Sequence, residues 1–320
     1  MTTTSSALTG TTRPGPARRV LRALAITSCV PYVSLKIAWV AGSRVGIPDG
    51  SVLLRDTGLM AAVNLVTVLM DAAVVVLALL FTQRWGLRVK AWLSAFPMWA
   101  ATGLLGPIMV GFPAQLAAGQ DTGGPKEPFL DEWVFTLVYS GFIVQGLTLG
   151  ALFVLYARDR WSRVWRGRVG ELSPSLFPPV VRVTAVAASV LLLVPSALHV
   201  LWLAGSTRGL PARRIAERGS DFQVLEGVRL LFVAAAVSGV LMLVFRLGHA
   251  LPLKAPLALA WTGSGGVGCW GGWLLLTAVM PQSDPAKEPT VAMELAYAGE
   301  MITGMLLGAC VAVLLRRRTA

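Results

Sequence analysis

The chain has 320 residues, 55% of them hydrophobic and 14% charged, with a mean hydropathy of +0.68. A soluble domain is about a quarter charged, so this composition excludes an ordinary soluble enzyme and favours a membrane protein. The net charge of +12 does not indicate nucleic acid, because the basic residues fall between apolar runs, where they orient a chain in a bilayer. Arginine outnumbers lysine 23 to 5 amid heavy Ala, Val, Leu and Gly usage, as in a GC-rich, actinobacterial genome.

Residues 1–17 are Thr, Ser, Gly, Pro and Ala with few charges, which predicts a disordered cytoplasmic tail. Crossing a ~30 Å hydrocarbon core takes roughly 20 apolar residues. Eight stretches qualify, near 20–41, 58–82, 89–112, 134–157, 181–204, 227–248, 253–281 and 291–315. With the N-terminus inside, 18 Lys/Arg fall on the inner face and 9 on the outer, while twelve acids lie in or beside the outer loops. The positive-inside rule then predicts a plasma-membrane protein with both termini cytoplasmic. The loop 205–226, with Arg208, Arg213, Arg214 and Arg218, runs against that trend.

The chain is written twice. VPYVSLKIAWVAGSRVGIP from Val30 returns as VPSALHVLWLAGSTRGLP from Val194. Trp39, Gly42, Ser43, Gly46 and Pro48 recur 163 residues later as Trp202, Gly205, Ser206, Gly209 and Pro211. Tyr139, Gly141, Gly146 and Gly150 match Tyr297, Gly299, Gly304 and Gly308, and Trp99, Gly103 and Gly106 match Trp261, Gly265 and Gly268. The second and sixth stretches share little beyond the exits Arg84/Gly86 and Arg246/Gly248. These matches predict an all-α bundle of eight transmembrane helices made of two tandem four-helix repeats. Repeat 1 covers 18–157 and repeat 2 covers 181–315; a basic cytoplasmic linker at 158–180 joins them, and 316–320 form a short cytoplasmic tail. An even number of spans per copy keeps both copies in one orientation, as in parallel-repeat transporters.

A charge inside lipid costs a few kcal/mol or more, so it is kept for a reason. Lys36, Asp71, His199 and Glu300 each lie well inside an apolar stretch, and Asn64 stands two turns from Asp71. In the repeat register Lys36 falls opposite His199, Glu300 opposite Phe142, and Gln145 opposite Thr303. These five residues, Lys36, Asn64, Asp71, His199 and Glu300, are the candidates for binding a ligand or proton in a pocket that opens outward between the repeats. Trp99, Trp261, Gly265 and Gly268 are candidates to line it, because FPMWAATGLLGP and WTGSGGVGCWGGW are the interrupted segments of the two halves. The same glycines also suit close helix packing.

The sequence has no P-loop, HExxH or GxSxG motif, and no acidic cluster with two-metal spacing. Cys29, Cys269 and Cys310 sit alone in apolar runs, so neither a disulfide framework nor a zinc site is expected, and no cofactor is implied. The leading expectation is a secondary transporter or small-ligand membrane protein. Its partners would be membrane lipid, a small-molecule substrate or proton, and other membrane proteins, with no nucleic acid. The alternatives are a non-catalytic membrane subunit (a scaffold, sensor or immunity partner) and an integral membrane enzyme.

Overall fold

The computed structural model describes residues 15–49, 51, 57–119, 130–280, 286 and 288–319, with backbone alone for 57–63. Residues 1–14 of the expected tail lie outside this set, as does much of the predicted loops 42–57, 113–133 and 282–290. The described chain is all-helical: α1 (Pro16–Thr27), α2 (Val30–Val40), α3 (Thr57–Thr82), α4 (Ala91–Ala118), α5 (Glu132–Trp161), α6 (Pro179–Leu191), α7 (Leu193–Leu203), α8 (Ala212–Ala216), α9 (Ser220–Val244), α10 (Lys254–Ala278) and α11 (Val291–Thr319).

Two apolar stretches are broken in the middle. The α1–α2 break precedes Pro31 and the α6–α7 break precedes Pro195. Proline has no N–H to give and its ring crowds the carbonyl one turn back. Each broken pair still forms one segment of 25 residues, Pro16–Val40 and Pro179–Leu203.

Seven segments are long and apolar enough to cross a membrane, one fewer than the eight expected. The missing segment is α10, the predicted span at 253–281. It has the length, 25 residues, but its glycines and tryptophans hold its hydropathy down. The reason is its place in the bundle. α10 packs against α4, α9 and α11, and Gly263 through Gly268 are all buried. A Cβ at Gly263 would enter the backbone of Ala236, one at Gly304 of α11 the backbone of Gly268, and one at Gly103 of α4 the carbonyl of Gly265. Helices that meet backbone to backbone need small residues, and small residues read as weakly apolar.

The duplicated Trp–Gly–Ser–Gly motif has the same local structure in both places. Gly42 and Gly205 take the left-handed φ of 89° and 106° that ends a helix without a Cβ penalty. Ser43 N–H donates to Ala38 O at 2.8 Å and Gly42 N–H to Trp39 O at 3.0 Å. Ser206 and Gly205 repeat the pair on Leu201 and Trp202 at 2.9 and 3.2 Å, so both helices close with a Schellman cap. The indole of Trp39 then donates to Val45 O at 2.7 Å, and that of Trp202 to Arg208 O at 2.8 Å. Each tryptophan thus ties the returning loop to its own helix.

The loop that dissents in charge does local work. Arg218 donates to Gly205 O at 2.7 Å and to Trp202 O, covering carbonyls at the end of α7. A cation is favourable at a helix C-terminus. At the other end of the bundle, Arg18 pairs with Asp159 at 2.5 Å, and the 158–180 linker bonds to the α9–α10 turn through Val169 N–H to Leu251 O at 3.0 Å.

Candidate functional site

Two buried polar clusters stand near the loop end of the helices, each where three helices meet. The first lies among α2, α3 and α5, the second among α7, α9 and α11. In chain order they draw on the first, second and fourth, and on the fifth, sixth and eighth, of the apolar stretches.

In the second cluster His199 is 0% exposed and reaches a carboxylate with each ring nitrogen. Nδ1 is hydrogen-bonded to Glu226 Oε2, and Nε2 lies 2.9 Å from Glu300 Oε1. The second contact is at ion-pair distance but off the ring N–H direction, so it is electrostatic rather than a directed hydrogen bond. Arg229 Nη1 stands 3.8 Å from Glu300 Oε2, with the guanidinium 5.3 Å above the ring of Tyr297. Trp202 packs edge-on to the imidazole at 5.1 Å, so the capping residue of the loop also walls the site.

The first cluster is differently paired. Lys36 Nζ donates to Asn64 Oδ1 at 2.7 Å and sits 4.8 and 5.1 Å from the ring centres of Tyr32 and Trp39. Aromatic faces attract a desolvated ammonium. Asp71 lies two turns further along α3, about 10 Å at 1.5 Å per residue. Its Oδ1 accepts from Gln145 Nε2 at 2.9 Å, and the same nitrogen is 2.9 Å from Cys29 Sγ. The structure therefore brings His199 together with Glu300, and Lys36 with Asn64, while Asp71 has its own partners. The five candidates divide between two clusters.

Two members were not apparent from the sequence. Glu226 and Arg229 precede or open the apolar run at 227–248 and resemble loop charges, but α9 begins at Ser220 and carries both inside the bundle. A signal existed. Glu226 stands 162 residues after Asn64, the spacing of the Arg84/Gly86 and Arg246/Gly248 exits, and Arg229 stands 162 after Thr67. Two helix pairs thus each set a basic side chain on an acceptor: Lys36 of α2 on Asn64 of α3, and His199 of α7 on Glu226 of α9.

The four candidate lining residues, Trp99, Trp261, Gly265 and Gly268, lie at helix contacts. Trp99 is buried and donates to Ser264 Oγ at 3.1 Å, joining α4 to α10. Half-buried Trp261 stacks on Phe153 at 5.5 Å and donates to Thr102 Oγ1 at 3.4 Å. Gly265 faces Trp99 and Gly103, and Gly268 faces Gly304 and Met305. These contacts, with α4 against α9, form the junction between the halves. A cleft of about 440 Å³ opens beside it, lined by α4 and α5 together with Phe232 and Thr262, and its walls are apolar. Gly146 and Gly150 lie on that cleft, and a Cβ at Gly150 would meet nothing within 4 Å. Their counterparts Gly304 and Gly308 are filled by Gly268 and Trp99.

Among the described residues no group of three or more His, Cys, Asp and Glu is arranged to hold a metal ion. No protein-family model, no curated protein and no solved structure matches this chain. The apolar helices are those of a multi-pass membrane protein, and its function has to be argued from the clusters themselves.

Proposed function

We propose that the chain is a secondary transporter or small-ligand membrane protein in which His199, Glu226, Glu300 and Arg229 hold a coupling proton. In this reading the fold has eight spans in two tandem four-span units, with α10 as the eighth, and both termini are cytoplasmic. Support for α10 is its position against three helices that are themselves long and apolar enough to cross. The duplicated caps and the matched Lys36–Asn64 and His199–Glu226 bonds support the repeat.

The observation that carries the proton reading is a fully buried imidazole with a carboxylate at each nitrogen. A neutral imidazole has one N–H and can serve only one of them. With the imidazole neutral and both carboxylates ionised, the four residues sum to −1. One added proton brings the sum to zero. A low-dielectric interior penalises the unbalanced state, so moving that proton must be linked to a change around the cluster. Such linkage is what proton-coupled transport needs.

Two measurements test this. The protein has two histidines, so His249→Gln leaves His199 as the sole source of an imidazole ¹⁵N signal. An imidazolium that reverts to neutral imidazole in Glu300→Gln is expected; an unchanged neutral ring in both would overturn the proton count. In proteoliposomes under an imposed pH gradient, uptake of one solute class should be driven in the wild type and lost in Glu300→Gln. Orientation is read by impermeant thiol labelling in intact cells, expected at Thr207→Cys and not at Arg166→Cys.

A second reading is favoured by the α4–α5 cleft. Gly150 faces an open apolar groove while Gly146 packs on Met109 beside it; a small residue left open is how a membrane helix offers itself to another, and this supports a non-transporting subunit of a larger complex. Gly150→Leu separates the two readings. It should leave proton-driven uptake intact in a transporter and break assembly in a subunit.

A further inference from the structure

We infer that Asp71 is a second proton-binding site, separate from the His199 cluster and carried by the first half alone. Its side chain is 4% exposed, with Oδ1 held by Gln145 and Oδ2 without a hydrogen-bond partner among the described residues. A buried carboxylate with one oxygen unmet is costly, and native interiors rarely leave one without a reason. Lys36 of α2 is bonded to Asn64, two turns away along α3.

The fold does not require this acid. In the repeat register, which rests on the tandem reading above, Asp71 corresponds to Val233 and Gln145 to Thr303, and Leu192 directly precedes α7 as Cys29 precedes α2. Leu192 is buried and apolar, and Thr303 bonds back to Gly299 O of its own helix at 2.6 Å. The second half therefore builds the same three-helix junction with no polar group left over at this depth. Asp71, Gln145 and Cys29 are an addition to the scaffold.

The surroundings select a proton over a metal ion. A sodium or divalent ion needs several oxygen ligands. Here Asp71 Oδ1 meets the Gln145 amide N–H, and the same nitrogen meets the Cys29 sulfur, so no set of oxygen ligands surrounds it among the described residues. A proton needs one lone pair. Hydronium would give its proton to Oδ2 and leave as water, turning the carboxylate into a neutral acid. Oδ2 offers that lone pair, since it has no hydrogen-bond partner among the described residues. Asn64, Thr67 and Asp71 stand at i, i+3 and i+7, which places them on one face of α3 as steps from the loop end inward.

Infrared difference spectroscopy of the full chain in lipid nanodiscs tests the inference. Acidification should raise a protonated-carboxyl C=O band that moves in D₂O, disappears in Asp71→Asn and shifts in Asp71→Glu. The Asp71→Glu variant keeps the carboxyl, so the test survives if Asp71→Asn does not fold. The band should persist in Glu300→Gln, which separates this site from the His199 cluster. A carboxyl band that never titrates, no band at all, or a band lost in Glu300→Gln but kept in Asp71→Asn would each overturn it.

Discussion

In the proposed tandem arrangement, Lys36 on Asn64 and His199 on Glu226 occupy the same place in the two halves, yet the two buried sites are built in opposite ways. The first half uses a lysine, a neutral amide and aromatic faces at 4.8 and 5.1 Å. Phe142, edge-on to Tyr32 at 5.2 Å, fills the position that Glu300 takes in the other half. The second half uses a titratable ring, two carboxylates and a guanidinium. One site sets a lysine on a neutral amide, and the other sets an imidazole, the side chain most readily titrated, between two carboxylates. In the proposed tandem arrangement this is one frame specialised at one junction while its caps stayed alike.

The largest expected effect breaks the second cluster. His199→Ala would leave Glu226 and Glu300 facing each other without the ring between them. Removing one partner of a buried ionic group typically costs about 3–5 kcal/mol. Thermal unfolding in detergent should show a large loss for His199→Ala and a smaller one for Lys36→Met. For the latter, about 1.5–3 kcal/mol is expected from a lost hydrogen bond to a charged group. Equal losses would mean that the contrast between the clusters carries no energetic weight.

The glycines test the same contrast at the halves' junction. Gly304→Ala drives a methyl into the Gly268 backbone, which no rotamer change can relieve, and overpacking of this kind costs about 1–3 kcal/mol. Gly150→Ala meets nothing within 4 Å and should stabilise its helix by roughly 0.5–1 kcal/mol. Opposite signs at Gly304 and Gly150, one from each of the two Gly-xxx-Gly pairs, would fix the open cleft as a real difference between α5 and α11. The same sign at both would close it.

How much of this was legible depended on what each residue type demands. A charge within an apolar run must face protein, so the interior placement of Lys36, Asp71, His199 and Glu300 was readable. Partner choice was not, because Lys36 could reach Asp71 or Glu300 on paper and only the packed helices assign it to Asn64. Glu226 and Arg229 stayed hidden because hydropathy locates a helix by its apolar middle, and α9 starts seven residues before the run at 227–248. Glycines gave the least guidance. The run in α10 fits a broken helix around a ligand as well as a tight contact, and its neighbours Ala236, Gly103 and Gly304 decide for contact.

The smallest expected effect concerns what the halves share. Trp39 and Trp202 each donate one indole hydrogen bond to the returning loop, at 2.7 and 2.8 Å, beneath equivalent Schellman caps. Trp39→Phe and Trp202→Phe each remove that bond and keep most of the ring. A typical net loss is about 1 kcal/mol. Their environments differ in one respect: Trp39 also lies 5.1 Å from the Lys36 ammonium, while Trp202 packs on the His199 ring. A phenyl retains part of the attraction to a cation, so the two losses should agree to within about 0.5 kcal/mol. The double variant should be additive to a similar margin, as distant sites without shared partners are. A markedly larger loss for Trp202→Phe would show that the indole holds His199 in place as well as the loop. The capping motif would then belong to the proton site, and the likeness of the halves would end at the backbone.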